Sequence, residues 1–124
     1  MKAAQGFDLA AAQAMRSACH AIVGLDPTFV LRASKTEFWG LYDPEPVGGV
    51  ILDGPWIHVG CTKPGRCGLV VRKIVKHALQ SRTRLYAPIR QPNERANRLA
   101  IGLGFDLALD NGRWKVFRRT KWDS

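Results

Sequence analysis

Apolar positions recur along this chain at two periods, and each change of period marks a new element. Near the start, Met15, Ala18, Cys19 and Ile22 fall at i, i+3, i+4 and i+7, one face of a helix. Asp8 can cap that helix and Gly24 with Asp26-Pro27 ends it, so the spacing predicts a first helix over residues 6–24. Over residues 35–61 the period shortens. KTEFWGLYD, PVGGVILDG and PWIHVGCT are short runs rich in aromatic and β-branched residues, separated by Pro, Gly and Asp, and they predict three strands of an antiparallel meander.

Helical spacing returns after the loop KPGRCG. Val70, Val71, Ile74, Val75, Ala78 and Leu79 form an apolar stripe with Arg72, Lys73 and Lys76 opposite, which predicts a loop and an amphipathic helix with a basic face over residues 62–80. TRLYAPI then reads as a strand. After it, Asn93 is placed to cap a helix with Glu94 in its first turn, Ala96, Leu99, Ala100 and Leu103 on its buried face and Gly104 as its stop. FDLALDNGRWKVFRR supplies two alternating strands around Asn111-Gly112, a type I′ hairpin signal, so residues 83–118 hold strand, helix and hairpin. A meander followed by a strand–loop–helix–strand crossover predicts an α/β (α+β) fold on a mixed sheet.

Composition changes this picture little. A chain of 124 residues with 46% hydrophobic content can bury one sizeable core, so one domain over residues 1–124 is expected. Asp8, Gln13, Arg16 and His20 interrupt the alanine-rich start, so neither a secretory segment nor a membrane span is expected, and the expected compartment is the cytoplasm. Cys19, Cys61 and Cys67 are too sparse for a disulfide framework. His58, Cys61, Cys67 and His77 can be written as a metal-ligand list, but no C-x-x-C pair occurs and no metal site is predicted.

Charge changes the picture more. The formal net charge is +9, yet residues 1–60 hold four Lys/Arg against six Asp/Glu, whereas residues 61–124 hold fifteen against four. That asymmetry predicts a polyanionic partner for the C-terminal half, either nucleic acid or a phosphate-bearing cofactor.

Two stretches carry a family resemblance: IHVGCTKPGRCGLVVRKIVKHAL, and the pattern Asn93, Ala96, Leu99, Leu103, Gly104, Phe105. Over residues 35–118 the chain resembles the GNAT superfamily of N-acyltransferases, and in particular the short divergent GNAT-like proteins of tailed bacteriophages. The resemblance implies a mostly antiparallel mixed sheet flanked by helices. With a helix almost at the start of the chain, the family's first strand is expected to be missing or replaced, leaving an edge for a partner to cover.

The resemblance also implies a cofactor loop. In that superfamily the turn after the fourth strand carries Q/R-x-x-G-x-G/A, whose backbone N–H groups and following helix N-terminus hold the pyrophosphate of acetyl-CoA. If Thr62 takes the first position, Gly65 keeps one glycine and Cys67 replaces the last small residue; if Arg66 takes it, Leu69 and Val71 stand where glycines belong. The implied cofactor-binding residues are Thr62, Lys63, Gly65, Arg66, Cys67, Gly68 and Asn93. In active family members the residue after the Leu99 equivalent is typically a tyrosine that acts as general acid, and here it is Ala100. His58, mid-strand before the loop, is the candidate base, because an imidazole titrates near neutral pH. Glu37 and Asp53 read as turn or surface carboxylates.

The degraded motifs point to little or no catalysis, and the phage-type resemblance implies a structural, virion-associated or interaction protein, resident in host cytoplasm or virion. The alternatives are an acetyl-CoA-dependent N-acetyltransferase with a divergent motif and a basic nucleic-acid-binding module.

Overall fold

The computed structural model describes residues 1–18 and 28–122. In chain order its elements are β1 (Lys2–Gln5), α1 (Leu9–Ala18), α2 (Phe29–Ala33), β2 (Glu37–Tyr42), β3 (Pro46–Asp53) and β4 (Trp56–Cys61). A single 3-10 turn (Pro64–Arg66) then leads into α3 (Gly68–Ser81), β5 (Arg84–Arg90), α4 (Glu94–Gly102), β6 (Asp106–Asp110) and β7 (Trp114–Thr120). The strands form one sheet in the order β1-β2-β3-β4-β5-β7-β6. Every neighbouring pair is antiparallel except β4 and β5, so the sheet is mixed and mostly antiparallel, flanked by helices.

The alternation along the strands sorts the core into two layers. Leu41, Val50, Leu52, Ile57, Leu85 and Phe117 pack with Val71, Ile74, Val75 and Ala78 of α3 and Ala100 of α4. Phe38 and Ile51 pack on the opposite face, with Ala11, Ala12 and Met15 of α1 and Phe29 and Ala33 of α2. The basic positions Arg72, Lys73 and Lys76 of α3 are exposed, as the stripe predicts. Close strand approach explains the Gly48-Gly49 pair: a Cβ at Gly48 would collide with the Gly60 carbonyl across β3 and β4, and one at Gly49 with the Phe38 ring.

One carboxylate organises the start of the chain. Asp8 accepts from the Ala10 amide at 3.0 Å, which caps α1, and from the Tyr42 hydroxyl at 2.5 Å, which ties α1 to β2. The Tyr42 hydrogen bond holds the Asp8 carboxyl below its ordinary range, and the same bond, with burial second, pushes the tyrosine up to about 12.

Three expectations need correction, and a fourth lies partly outside the described residues. A strand does precede the first helix: β1 pairs antiparallel with β2, from Lys2 opposite Tyr42 to Gln5 opposite Trp39. Its sequence KAAQ has no β-branched or aromatic residue, so pairing rather than propensity makes it a strand. The first helix is described only over Leu9–Ala18; its expected extension through Cys19, Ile22 and Gly24 lies outside the described residues. The short helix α2 was not expected, because five residues carry too little periodicity to read. Finally, the β6–β7 turn is not type I′. That turn needs two positive φ values, and only Gly112 has one, at 86°. Asn111 instead accepts from the Arg113 and Trp114 amides through its side chain, at 3.1 and 2.7 Å.

Candidate functional site

The one parallel junction in the sheet is also its weakest. β4 and β5 share a single register pair, Trp56 opposite Tyr86, supported by the Tyr86 amide donating to the Pro55 carbonyl at 2.7 Å. Both strands run from that pair toward their C-terminal ends without another bridge, so the sheet parts between residues 57–61 and 87–90. At the mouth of this opening β4 feeds the loop before α3 and β5 feeds the turn before α4. Two helix N-termini therefore border one cleft at the carboxyl ends of the strands.

The loop on the β4 side is fixed from below. Thr62 donates both its amide and its hydroxyl to the Val47 carbonyl, at 2.8 and 3.1 Å, and the Arg66 amide closes the 3-10 turn on the Lys63 carbonyl at 3.1 Å. The first helical bond of α3 runs from the Val71 amide to the Cys67 carbonyl, so the amides of Gly68, Leu69 and Val70 have no intrahelical acceptor. No side chain caps this end and no acidic residue lies in its first turn. The result is an uncapped, positively polarised helix start.

Gly65 and Gly68 sharpen the point. Neither has a positive φ, and a Cβ built on either would meet no atom within 4 Å. Neither the backbone turn nor packing requires glycine there, unlike Gly48 and Gly49. What the missing side chains leave is open space against the loop backbone, the space an anion needs to reach those amides.

The charged residues of the loop are partly engaged. Lys63 and Arg66 both ride on Asp43 of the β2–β3 turn, at 3.6 and 3.0 Å, in exposed ion pairs that hold the side chains only loosely. Arg72 turns away and donates to the Gly102 carbonyl at 2.9 Å. Cys67 contributes backbone only: its side chain is 1% exposed, and burial, with Cys61 beside it, pushes the thiol up to about 11. Across the cleft Asn93 caps α4, accepting from the Ala96 amide at 3.2 Å. Sequence reasoning missed what stiffens that turn. The Gln91 and Asn97 side-chain amides bond each other reciprocally, both at 2.9 Å, and Asn97 is 4% exposed inside α4. Its one signal was a polar residue on an otherwise apolar helix face.

His58 lies one strand position from Ile57 and so projects to the α1/α2 face, opposite Ile51 in register. The ring reaches the surface, yet the atoms crowded round it withhold enough water to lower its pKa, with Arg32 acting in the same direction and Asp53 against. It is therefore a neutral imidazole near pH 7. Cys61 projects to the other face of β4, so His58, Cys61, Cys67 and His77 do not converge on a metal. Ala100 is 5% exposed within the core, with no proton donor in its side chain. None of Trp39, Trp56, Trp114 and Trp122 is fully buried, and Trp122, 75% exposed, is peripheral.

No protein-family model matches the sequence, and no curated protein matches it either. Solved structures do match. A GNAT-family acetyltransferase from Bacillus anthracis aligns with a TM-score of 0.69 at 11% identity, over 98% of this chain and 96% of that one. An acetyltransferase from Thermus thermophilus gives 0.68 at 19% identity, over 97% of both chains. The Campylobacter jejuni N-acetyltransferase PseH in complex with acetyl coenzyme A gives 0.57 at 15% identity, over 73% of this chain and 72% of that one. The chain thus has the fold of the GNAT acetyltransferases. No helix among the described residues is long and apolar enough to cross a membrane.

Proposed function

We propose that this chain binds an acyl-CoA, acetyl-CoA being the simplest, at the mouth between β4 and β5, and that it transfers the acyl group to an amine without a side-chain general acid. The observation that carries this reading is the uncapped start of α3, with Gly65 and Gly68 leaving its flank open for no structural reason. The donor set fits a pyrophosphate: the first-turn amides of α3 and the loosely held Lys63 and Arg66 beside them. Asn93 stands at the other rim. Acetyl-CoA, when bound, supplies an activated thioester. His58, neutral near pH 7, accepts a proton from an incoming ammonium group, and Ala100 leaves protonation of the departing group to water.

A second reading draws on Ala100 itself. Its burial supports a GNAT fold kept for contacts, with little or no catalysis, as the phage-type resemblance implies. Calorimetry with acetyl-CoA, followed by transfer assays on a panel of primary amines, separates the two. Saturable binding that Gly65→Trp weakens by at least about tenfold, and turnover that His58→Gln lowers, support the transferase. Binding without turnover on any amine supports the contact protein, and absence of binding contradicts the acyl-CoA site itself.

A further inference from the structure

Among the described residues, one side of the sheet is uncovered beyond β4. α3 and α4 cover the side bearing Leu85 and Phe117, while on the opposite side the described part of α1 packs chiefly over β2, β3 and β4, with α2 beside Phe38 and Ile51. Beyond β4, no helix among the described residues covers that second side. Because strand residues alternate, Arg84, Tyr86 and Arg90 of β5 and Trp114 and Arg118 of β7 all project there. Register sets them in rows. Trp56, Tyr86 and Arg118 stand side by side across β4, β5 and β7, and Arg90 stands beside Trp114.

Two properties distinguish this face from an ordinary solvated basic surface. First, its cations are uncommitted. Arg66, Arg72, Arg82 and Arg119 each donate to a protein oxygen, whereas no hydrogen bond or ion pair ties Arg84, Arg90 or Arg118 among the described residues, although Asp106 is Arg118's register neighbour. Second, its apolar content is aromatic and accessible: Trp56 is 41% exposed with its ring 5.4 Å from that of Tyr86, and Tyr86 and Trp114 are half-buried. Flat rings beside free guanidinium groups suit a ligand with flat rings and phosphates.

We propose that this face binds single-stranded nucleic acid, with bases stacked on Trp56, Tyr86 and Trp114 and phosphates held by Arg84, Arg90 and Arg118. The two rows lie four residues apart along β5, about 13 Å, so rings at the two levels belong to different nucleotides of one strand rather than to one base. A duplex keeps its base faces stacked inside and offers these rings nothing. The charge of +9, concentrated in this half of the chain, has the sign a phosphate backbone requires. The inference does not depend on acyl-CoA binding.

Tryptophan fluorescence and anisotropy titrations without acetyl-CoA test it, using a ten-nucleotide oligouridylate, the matching duplex and free UMP. The expected result is saturable binding of the single strand, at least about tenfold tighter than either control. Trp114→Ala is expected to weaken it by about tenfold, and Arg118→Ala, at an exposed site that does not threaten folding, to reduce the log–log salt slope by about 0.7. The double variant Lys73→Ala/Lys76→Ala, which removes two cations from exposed α3 positions, is expected to change affinity less than about twofold. Equal binding of the duplex, equal loss in the α3 variant, or UMP binding as tightly as the oligomer would each overturn the proposal. So would a dimer in sedimentation that Trp56→Ala dissociates and that binds no oligonucleotide, since the face would then belong to a second copy.

Discussion

Trp56 and Tyr86 are the one register pair between β4 and β5 among the described residues, with ring centroids 5.4 Å apart. On one side of it lie β1–β4 and on the other β5, β7 and β6, so one aromatic contact sits at the apex of the opening where the proposed cofactor enters. A tilted ring pair of this kind contributes about 1 kcal/mol beyond its buried area. A double-mutant cycle of Trp56→Ala and Tyr86→Ala in urea denaturation is expected to give a coupling energy of about that size, and additive effects would show that the rings do not support the junction.

The Gln91–Asn97 pair makes a different prediction. Asn97→Ala leaves the Gln91 Oε1 without its donor, while Nε2 keeps its bond to the Ile89 carbonyl at 3.2 Å, and is expected to cost about 2 kcal/mol. Adding Gln91→Leu, which removes the stranded group, is expected to return part of that loss. Chemical denaturation of the two variants checks both values.

Gly68 separates folding from binding. It opens α3 with open space where its Cβ would be, so Gly68→Ala is expected to leave stability unchanged or raise it by up to about 1 kcal/mol. The same methyl group intrudes on the proposed pyrophosphate approach, so acetyl-CoA affinity is expected to fall. Thermal unfolding and calorimetry on one preparation read the two effects, and a variant that is both less stable and equally tight would refute the assignment.

Cys67 gives an alkaline limb. Its thiol is raised from 9.0 to about 11, chiefly by burial, so the folded state holds this proton more tightly than the unfolded state. Stability from this group is whole below pH 9 and declines as pH rises toward 11, by at most about 3 kcal/mol. Denaturation midpoints across that range should fall, and in Cys67→Ala the fall should be shallower. Alkylation of native protein at pH 8 should spare Cys67.

Much of this was legible in the sequence. The apolar stripe from Val71 to Leu79 and the Asn93 cap announced α3 and α4, because helical period and cap chemistry are local. The meander was equally plain in its aromatic and β-branched runs. β1 was not, since Lys2–Gln5 becomes a strand only by pairing with residues some forty positions away. The site divided in the same way. Sequence marked Thr62, Lys63, Gly65, Arg66 and Gly68 as a loop, but whether its glycines served the turn or an open approach depends on what surrounds a Cβ in three dimensions. The bare face with Trp56, Tyr86, Trp114 and Arg118 was invisible for the same reason: three strands of different sequence position supply it.

The most direct test of the acyl-CoA site is a backbone amide chemical-shift map of the 15N-labelled protein titrated with acetyl-CoA. The account predicts that the largest changes fall on Gly65, Gly68, Leu69 and Val70, with smaller ones at Asn93, and that these saturate together. Unmoved amides at the start of α3, with acetyl-CoA in excess or bound elsewhere, would contradict it.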